Sequence, residues 1–207
     1  MTSDITRLLI AFSKGFGFKN LFEKKMSNLL SSFSPSEIFV VQDDNSIAHD
    51  FFSSKGIQVS LATLGNTRGG IKKSIDSFTH VVAFWDGDDL TNVIYTSTLL
   101  RKNLRVIPVQ LAKTRNKDRE EKFDVYIGRG TPWGNPFPIG IGGTGDNREV
   151  VIEKFRTYFF DEIVPNPEKH KALLSLRGYR LGCHCKPLAC HGDIIAAYLN
   201  SYEGYNE

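Results

Sequence analysis

The chain is poor in cysteine, methionine and tryptophan, with three, two and two copies in 207 residues. An odd number of cysteines, all between positions 183 and 190, excludes a disulfide framework and points to reduced thiols in an intracellular compartment. No run approaches the ~20 apolar residues that span a bilayer, so no membrane partner is expected. The opening MTSDITRLLIAF has an acid before its first arginine and too short an apolar run for a secretory signal, which makes a cytoplasmic location the expectation. No long basic stretch exists, and the formal net charge is only +3. That charge permits phosphate contacts without marking the chain as a nucleic-acid binder. Internal repeats and low-complexity segments are absent too.

Phenylalanine is abundant, at 15 copies, and predicts an aromatic-rich core. Short apolar runs at residues 7–12, 37–41, 58–62, 81–85 and 105–110 read as strands. Between them, residues 19–33, 46–55, 68–78 and 91–102 read as helices, the first with apolar residues spaced three and four apart. Strands alternating with helices through short connections predict a parallel sheet whose ligands sit beyond the carboxyl ends of the strands. Residues 113–122, KTRNKDREEK, lack an apolar stripe and read as a solvated connector. A strand at 124–127 follows, then a loop over 128–147 with seven glycines and three prolines. Helices at 148–163 and 193–202, a short helix or turn at 170–177 and a strand at 179–185 complete the pattern. The expected class is α/β: a Rossmann-like parallel-sheet domain over residues 1–112, a connector over 113–123 and a small α/β domain over 124–207.

The stretch LGCHCKPLACHGD, residues 181–193, holds every cysteine. On a strand, Leu181, Cys183 and Cys185 share one face and His184 takes the other. A turn then brings Cys190 and His191 to the start of the last helix. Cys183, Cys185, Cys190 and His191 form a legitimate tetrahedral zinc set, although one residue between cysteines is an unusual spacing. The alternative is that the thiols are simply buried. A helix N-terminus favours a thiolate or an anion, so Cys190, His191 and Asp193 are candidates for nucleophile and acid/base chemistry; equally, Asp193 can be only a helix cap.

In the glycine-rich loop, Arg129 stands beside Gly130, where glycine lets the backbone approach a ligand and arginine can grip a phosphate. Trp133 offers a stacking face and Asn135 a base or ribose contact, against the alternatives of core and turn. In the first half, Trp85, Asp86 and Gly87 end a strand, where Asp86 can reach a ribose or merely shape a turn.

The segment HVVAFWDGDDLTNVIYTSTLLRKNLRVIPV, residues 80–109, resembles the SLOG superfamily. This Rossmann-like group includes the DprA/Smf proteins and the Lonely Guy phosphoribohydrolases. Phe84-Trp85-Asp86-Gly87 stands intact, Thr91 takes the place of the family threonine, and Arg68 precedes a helix where the group often has an arginine-containing loop. The resemblance implies nucleotide binding through Arg68, Trp85, Asp86 and Gly87. Two departures stand against it. Gln42–Ser46 replaces the glycine-rich phosphate loop with a segment bearing two acids, and Leu90 replaces a glycine. Residues 124–200 resemble an uncharacterised phage and bacterial domain through GRGxxWGNPF and CxCxPxxCHGD.

Together these features predict a protein that binds and processes a nucleotide or nucleobase, at an N-glycosidic bond or in nucleic-acid modification. The other readings are a non-catalytic binder of a nucleotide signal in phage–host conflict, and a zinc-stabilised nucleic-acid-binding protein. The partner is a nucleotide or nucleic acid, zinc is the candidate cofactor, and a homo-oligomer is left open.

Overall fold

The computed structural model describes residues 5–119, 121–140 and 145–203. Two compact units share the chain, dividing between Val109 and Gln110. In the first, five strands, β1 (Arg7–Phe12), β2 (Glu37–Val41), β3 (Val59–Leu61), β4 (His80–Trp85) and β5 (Asn103–Pro108), line up as β3-β2-β1-β4-β5. Every pair is parallel. The connections carry α1 (Lys19–Leu30), α2 (Ile47–Ser53), α3 (Arg68–Asp76) and α4 (Thr91–Leu99).

Leu8 through Ala11 are wholly buried, which requires cover on both faces of β1 and explains why its sequence does not alternate. The expected aromatic core is present. Phe12 stacks on Phe16 and Phe84 at 4.9 and 5.3 Å, and Phe22 closes the group at 5.4 Å from Phe12. Each such buried ring contributes roughly 1.5–3 kcal/mol.

The second unit is built on a parallel sheet of three strands, β6 (Lys113–Asn116), β7 (Val125–Tyr126) and β8 (Arg180–Cys183), in the order β6-β8-β7. Around it lie α5 (Arg148–Tyr158), α6 (Pro167–Leu174) and α7 (His191–Ser201). Their core joins Ile127, Trp133, Phe155, Phe159, Leu181 and Ile195.

Three expectations need correction. The charged connector begins as strand β6. Pairing with β8 uses its backbone, so an apolar stripe is not needed for it to be ordered. The helix expected to run to residue 163 keeps α geometry only to Tyr158 and then widens into a π turn, Phe159–Ile163, with Val164 N–H bonded to the Phe159 carbonyl. The buried residues Phe155, Phe159 and Ile163 are spaced by four, and a wider turn holds that spacing on one face better than 3.6 residues per turn. The strand expected over 179–185 is regular only from Arg180 to Cys183. Part of the glycine-rich loop, residues 141–144, lies outside the described residues. Among the described residues no helix is long and apolar enough to cross a membrane.

Candidate functional site

β8 is the central strand of its sheet and delivers Cys183 to the carboxyl edge, between the ends of β6 and β7. The chain then turns through Lys186 and Pro187, joined by a cis peptide, and enters α7 at its cap, Cys190. This turn is fastened from β6. Asn116, 5% exposed, donates its side-chain amide to the Lys186 carbonyl, and its Oδ1 accepts the Asp118 N–H at 2.7 Å. A residue of the supposed connector thus shapes the cysteine turn.

The three thiols come together. Their sulfurs lie within 4.8 Å of one another, and the Cys190 Sγ stands 3.0 Å from the Cys183 Sγ. The helix start was expected to favour a thiolate at Cys190, but the geometry puts that role on Cys183. Its sulfur accepts the Cys190 thiol and is also bonded by the backbone at Cys185 and Lys186, which pulls its pKa down to about 6. Cys190, as the donor in that bond and deeply buried, is pushed up.

His191 lies beside them with its Nδ1 3.5 Å from the Cys190 Sγ. Its Nε2 is 2.9 Å from the Ile127 carbonyl oxygen, which accepts only; the ring proton therefore sits on Nε2 and Nδ1 keeps its lone pair. Burial pushes the imidazole pKa below its ordinary value, so the ring is held neutral. His191 is not within the 4.8 Å set, so the structure assembles three of the four ligands expected from sequence. Asp193 is a helix cap rather than a pocket residue. Its Oδ2 accepts the Cys190 N–H at 3.0 Å and its Oδ1 pairs with Lys186 at 2.6 Å.

Across from the thiols stands the glycine-rich loop. Ile127, fully buried, ends the sheet, and the chain turns at once. A Cβ at position 128 would fall 2.0 Å from the Tyr126 hydroxyl oxygen, so a side chain there would have to displace the tyrosine ring. Gly130 takes the left-handed conformation, with φ of 87°. The turn carries Arg129 outward, where it donates to the Phe137 carbonyl at 3.4 Å.

Arg129, Asn135 and Phe137 on one side and Cys183, Cys185, Cys190 and His191 on the other line a single cavity of about 330 Å³. Trp133 does not line it. This residue, 8% exposed, belongs to the core, and the aromatic wall is Phe137 instead. Asn135 spends its Oδ1 on the Phe137 N–H at 2.9 Å, an Asx turn that holds the loop.

Sequence reasoning missed Arg148, Tyr126 and His184, which also line the cavity. Arg148 is the first residue of α5 and donates to the Ala189 carbonyl at 3.3 Å. A signal was there to read: an arginine in the first turn opposes the helix dipole and so calls for another reason. Neither Arg129 nor Arg148 has a carboxylate partner among the described residues. Tyr126 was hidden in a short strand; its hydroxyl lies 3.1 Å from His184 Nε2, whose Nδ1 is 2.6 Å from Asp118.

Residues 5–115 match the model of the minimal SLOG domain. The chain belongs to the minimal SLOG domain family. Residues 109–201 match a second model, a domain of unknown function (DUF4326). An uncharacterized 12.4 kDa protein of Enterobacteria phage T4, from the nrdA-td intergenic region, is 44% identical over 91 residues. The match covers 44% of this chain and 80% of the phage protein. No solved structure matches.

Membership of the minimal SLOG family links the chain to nucleotide-related function, and its first unit has the corresponding parallel sheet. Strand order reverses between β1 and β4 in this minimal SLOG unit, the usual place for a ligand. Here that crevice is bridged. Asp86 Oδ1 accepts Ser13 Oγ–H at 3.0 Å and the Asp88 N–H at 3.1 Å, and Asp89 Oδ2 accepts the Lys14 N–H at 2.7 Å. Trp85 donates its indole N–H to the Asp89 carbonyl at 2.6 Å, and Gly87 supplies the left-handed residue of the turn, with φ of 92°. Arg68 opens α3 behind its cap Thr67. The carboxylate of Asp89 thus occupies the Lys14 backbone donor at this edge.

Proposed function

We propose that the protein binds a phosphorylated, nucleotide-class ligand in the cavity of its second unit and processes it there. The observation that carries this reading is the pair of arginines, Arg129 and Arg148, which have no carboxylate partner among the described residues and line the same small cavity as three clustered thiols. Arginine retains several N–H donors after one bond to a carbonyl, and two guanidiniums at an apolar cavity favour a bound phosphate. Phe137 supplies the face for a base. A volume of about 330 Å³ lies at the small end of ligand pockets, which suits a mononucleotide or nucleoside better than a dinucleotide. The thiols face this ligand as a site for a zinc-class ion, and the bond acted on is placed at the base or its N-glycosidic link.

The test is equilibrium binding of a panel of nucleoside monophosphates to the full chain and to Arg129→Ala and Arg148→Ala. Each substitution removes charge-assisted hydrogen bonds and lowers affinity roughly 10–100-fold. Binding that is indifferent to both substitutions would sink the reading. Mass spectrometry of the incubated panel separates processing from binding alone: retention with no chemical change favours the non-catalytic binder.

A further inference from the structure

The three sulfurs leave open what completes a metal's coordination. We infer that a zinc-class ion held by Cys183, Cys185 and Cys190 keeps its fourth position open to the cavity, where water or a donor atom of the bound ligand takes it. The inference deepens the pocket reading above and rests on it for the identity of the visiting ligand.

The donor set fits such an ion. Zinc–thiolate bonds of about 2.3 Å in a tetrahedron place sulfurs ~3.8 Å apart. The Cys183 and Cys190 sulfurs stand 3.0 Å apart and all three lie within 4.8 Å of one another, so small side-chain movements bring them to that spacing.

Among the described residues, the nearby alternatives for a fourth protein ligand either lie outside the sulfur set or are bonded elsewhere. His191 keeps a free Nδ1 3.5 Å from the Cys190 Sγ, but its ring, held by the Ile127 carbonyl and set 5.0 Å from the Phe155 ring, lies outside the sulfur set. His184 has both ring nitrogens taken, by Asp118 and Tyr126. Asp193 is held by Lys186 and the Cys190 N–H. All three cysteines line the cavity, and Cys185 is the most exposed of them, so the remaining direction of approach is from the cavity. Three protein ligands with an open fourth position is the arrangement of catalytic rather than structural zinc. Electrostatics point the same way. Three thiolates and a divalent ion carry one net negative charge, and Arg129 and Arg148 on the same cavity offset it and leave room for an anionic ligand. When bound, the metal supplies Lewis acidity toward that ligand or toward a water.

The experiment uses the full reduced chain, stripped of metal and loaded with cobalt(II), whose visible bands report coordination. One cobalt per chain, sulfur-to-cobalt charge-transfer absorption and visible bands that shift on adding imidazole or adenosine monophosphate are the expected results. Failure to bind cobalt stoichiometrically, or bands unmoved by both probes, overturns the inference. Calorimetry of adenosine monophosphate binding to the metal-free protein reads the pocket separately. Binding there with static cobalt bands removes the open metal position and leaves the pocket reading standing. Bands that move with imidazole, without nucleotide binding, do the reverse. Cys185→Ser, at the most exposed of the three positions, weakens the charge-transfer absorption by about a third or more, in proportion to the thiolates left, while circular dichroism stays native. His191→Gln leaves the visible d–d bands unmoved; a shift of those bands with the fold intact would make the histidine the fourth ligand and close the site.

Discussion

Gly134 lies directly against the backbone of Arg129. A Cβ at 134 would stand 2.9 Å from the Arg129 Cα and 2.6 Å from the Gly128 carbonyl oxygen. The obstructing atoms are backbone, so no side-chain rotation relieves the overlap. Gly134→Ala is therefore expected to cost about 1–3 kcal/mol, as overpacked sites do. It is also expected to weaken adenosine monophosphate binding by displacing Arg129. Urea unfolding and calorimetry on the same variant check both effects.

Trp133 and Phe137 sit four residues apart and are expected to respond in opposite ways. Trp133→Ala opens a cavity in the core and lowers stability by roughly 3–5 kcal/mol. Phe137, partly buried at the pocket wall, costs less stability when truncated but more ligand affinity. A Trp133→Ala variant that stays stable and loses only binding would return the tryptophan to the role of stacking platform.

Asn116 is expected to matter more than its place in a charged stretch implies. Replacing it with alanine removes two hydrogen bonds, to the Lys186 carbonyl and from the Asp118 N–H, at a cost of about 0.5–1.5 kcal/mol each. The cysteine turn should loosen with it, read as faster alkylation of Cys183 and Cys190 by a small maleimide. Unchanged stability and alkylation would show that the turn stands without this fastening.

Asp124 and Arg180 give a pH test. Side-chain and backbone hydrogen bonds from Arg180 hold the Asp124 carboxyl down to about 2, against ~3.9 for a free aspartate. A depressed carboxyl stabilises the fold fully above its unfolded value and ceases to do so as pH falls through the folded one. The stability gap between the native protein and Asp124→Asn should be flat at neutral pH and close between about pH 4 and pH 2. A gap that persists at pH 2 would mean the pair acts through geometry rather than charge.

The α/β class and the parallel first sheet were legible because each rests on local pattern: buried apolar runs for strands and spacings of three and four for helices. The thiol cluster was legible because all three cysteines fall within eight positions at the end of a strand and the start of a helix, although the strand proper stops at Cys183. What escaped depended on contacts distant in sequence. Lys113–Asn116 becomes a strand because β8, more than sixty residues later, lies beside it. The same contact explains why Asn116 went unnoticed. Trp133 stayed open between ligand platform and core because a tryptophan in a glycine-rich loop has no periodicity to reveal whether it turns inward. The acidity of Cys183 over Cys190 followed from which sulfur accepts the shared proton, and spacing does not encode that.

The central place of β8 also sets an order of events. β6 and β7 are not hydrogen-bonded to each other and are joined only through β8. A growing chain synthesised as far as Tyr179 therefore has both outer strands, Arg129 and Arg148, but no middle strand and no thiols. The arginine side of the cavity is made first and waits for the last stretch to seat it, so the second unit should acquire its fold and its ligand site in one step near the completion of that stretch. The first unit, with all five of its strands already emerged, is free to fold well before.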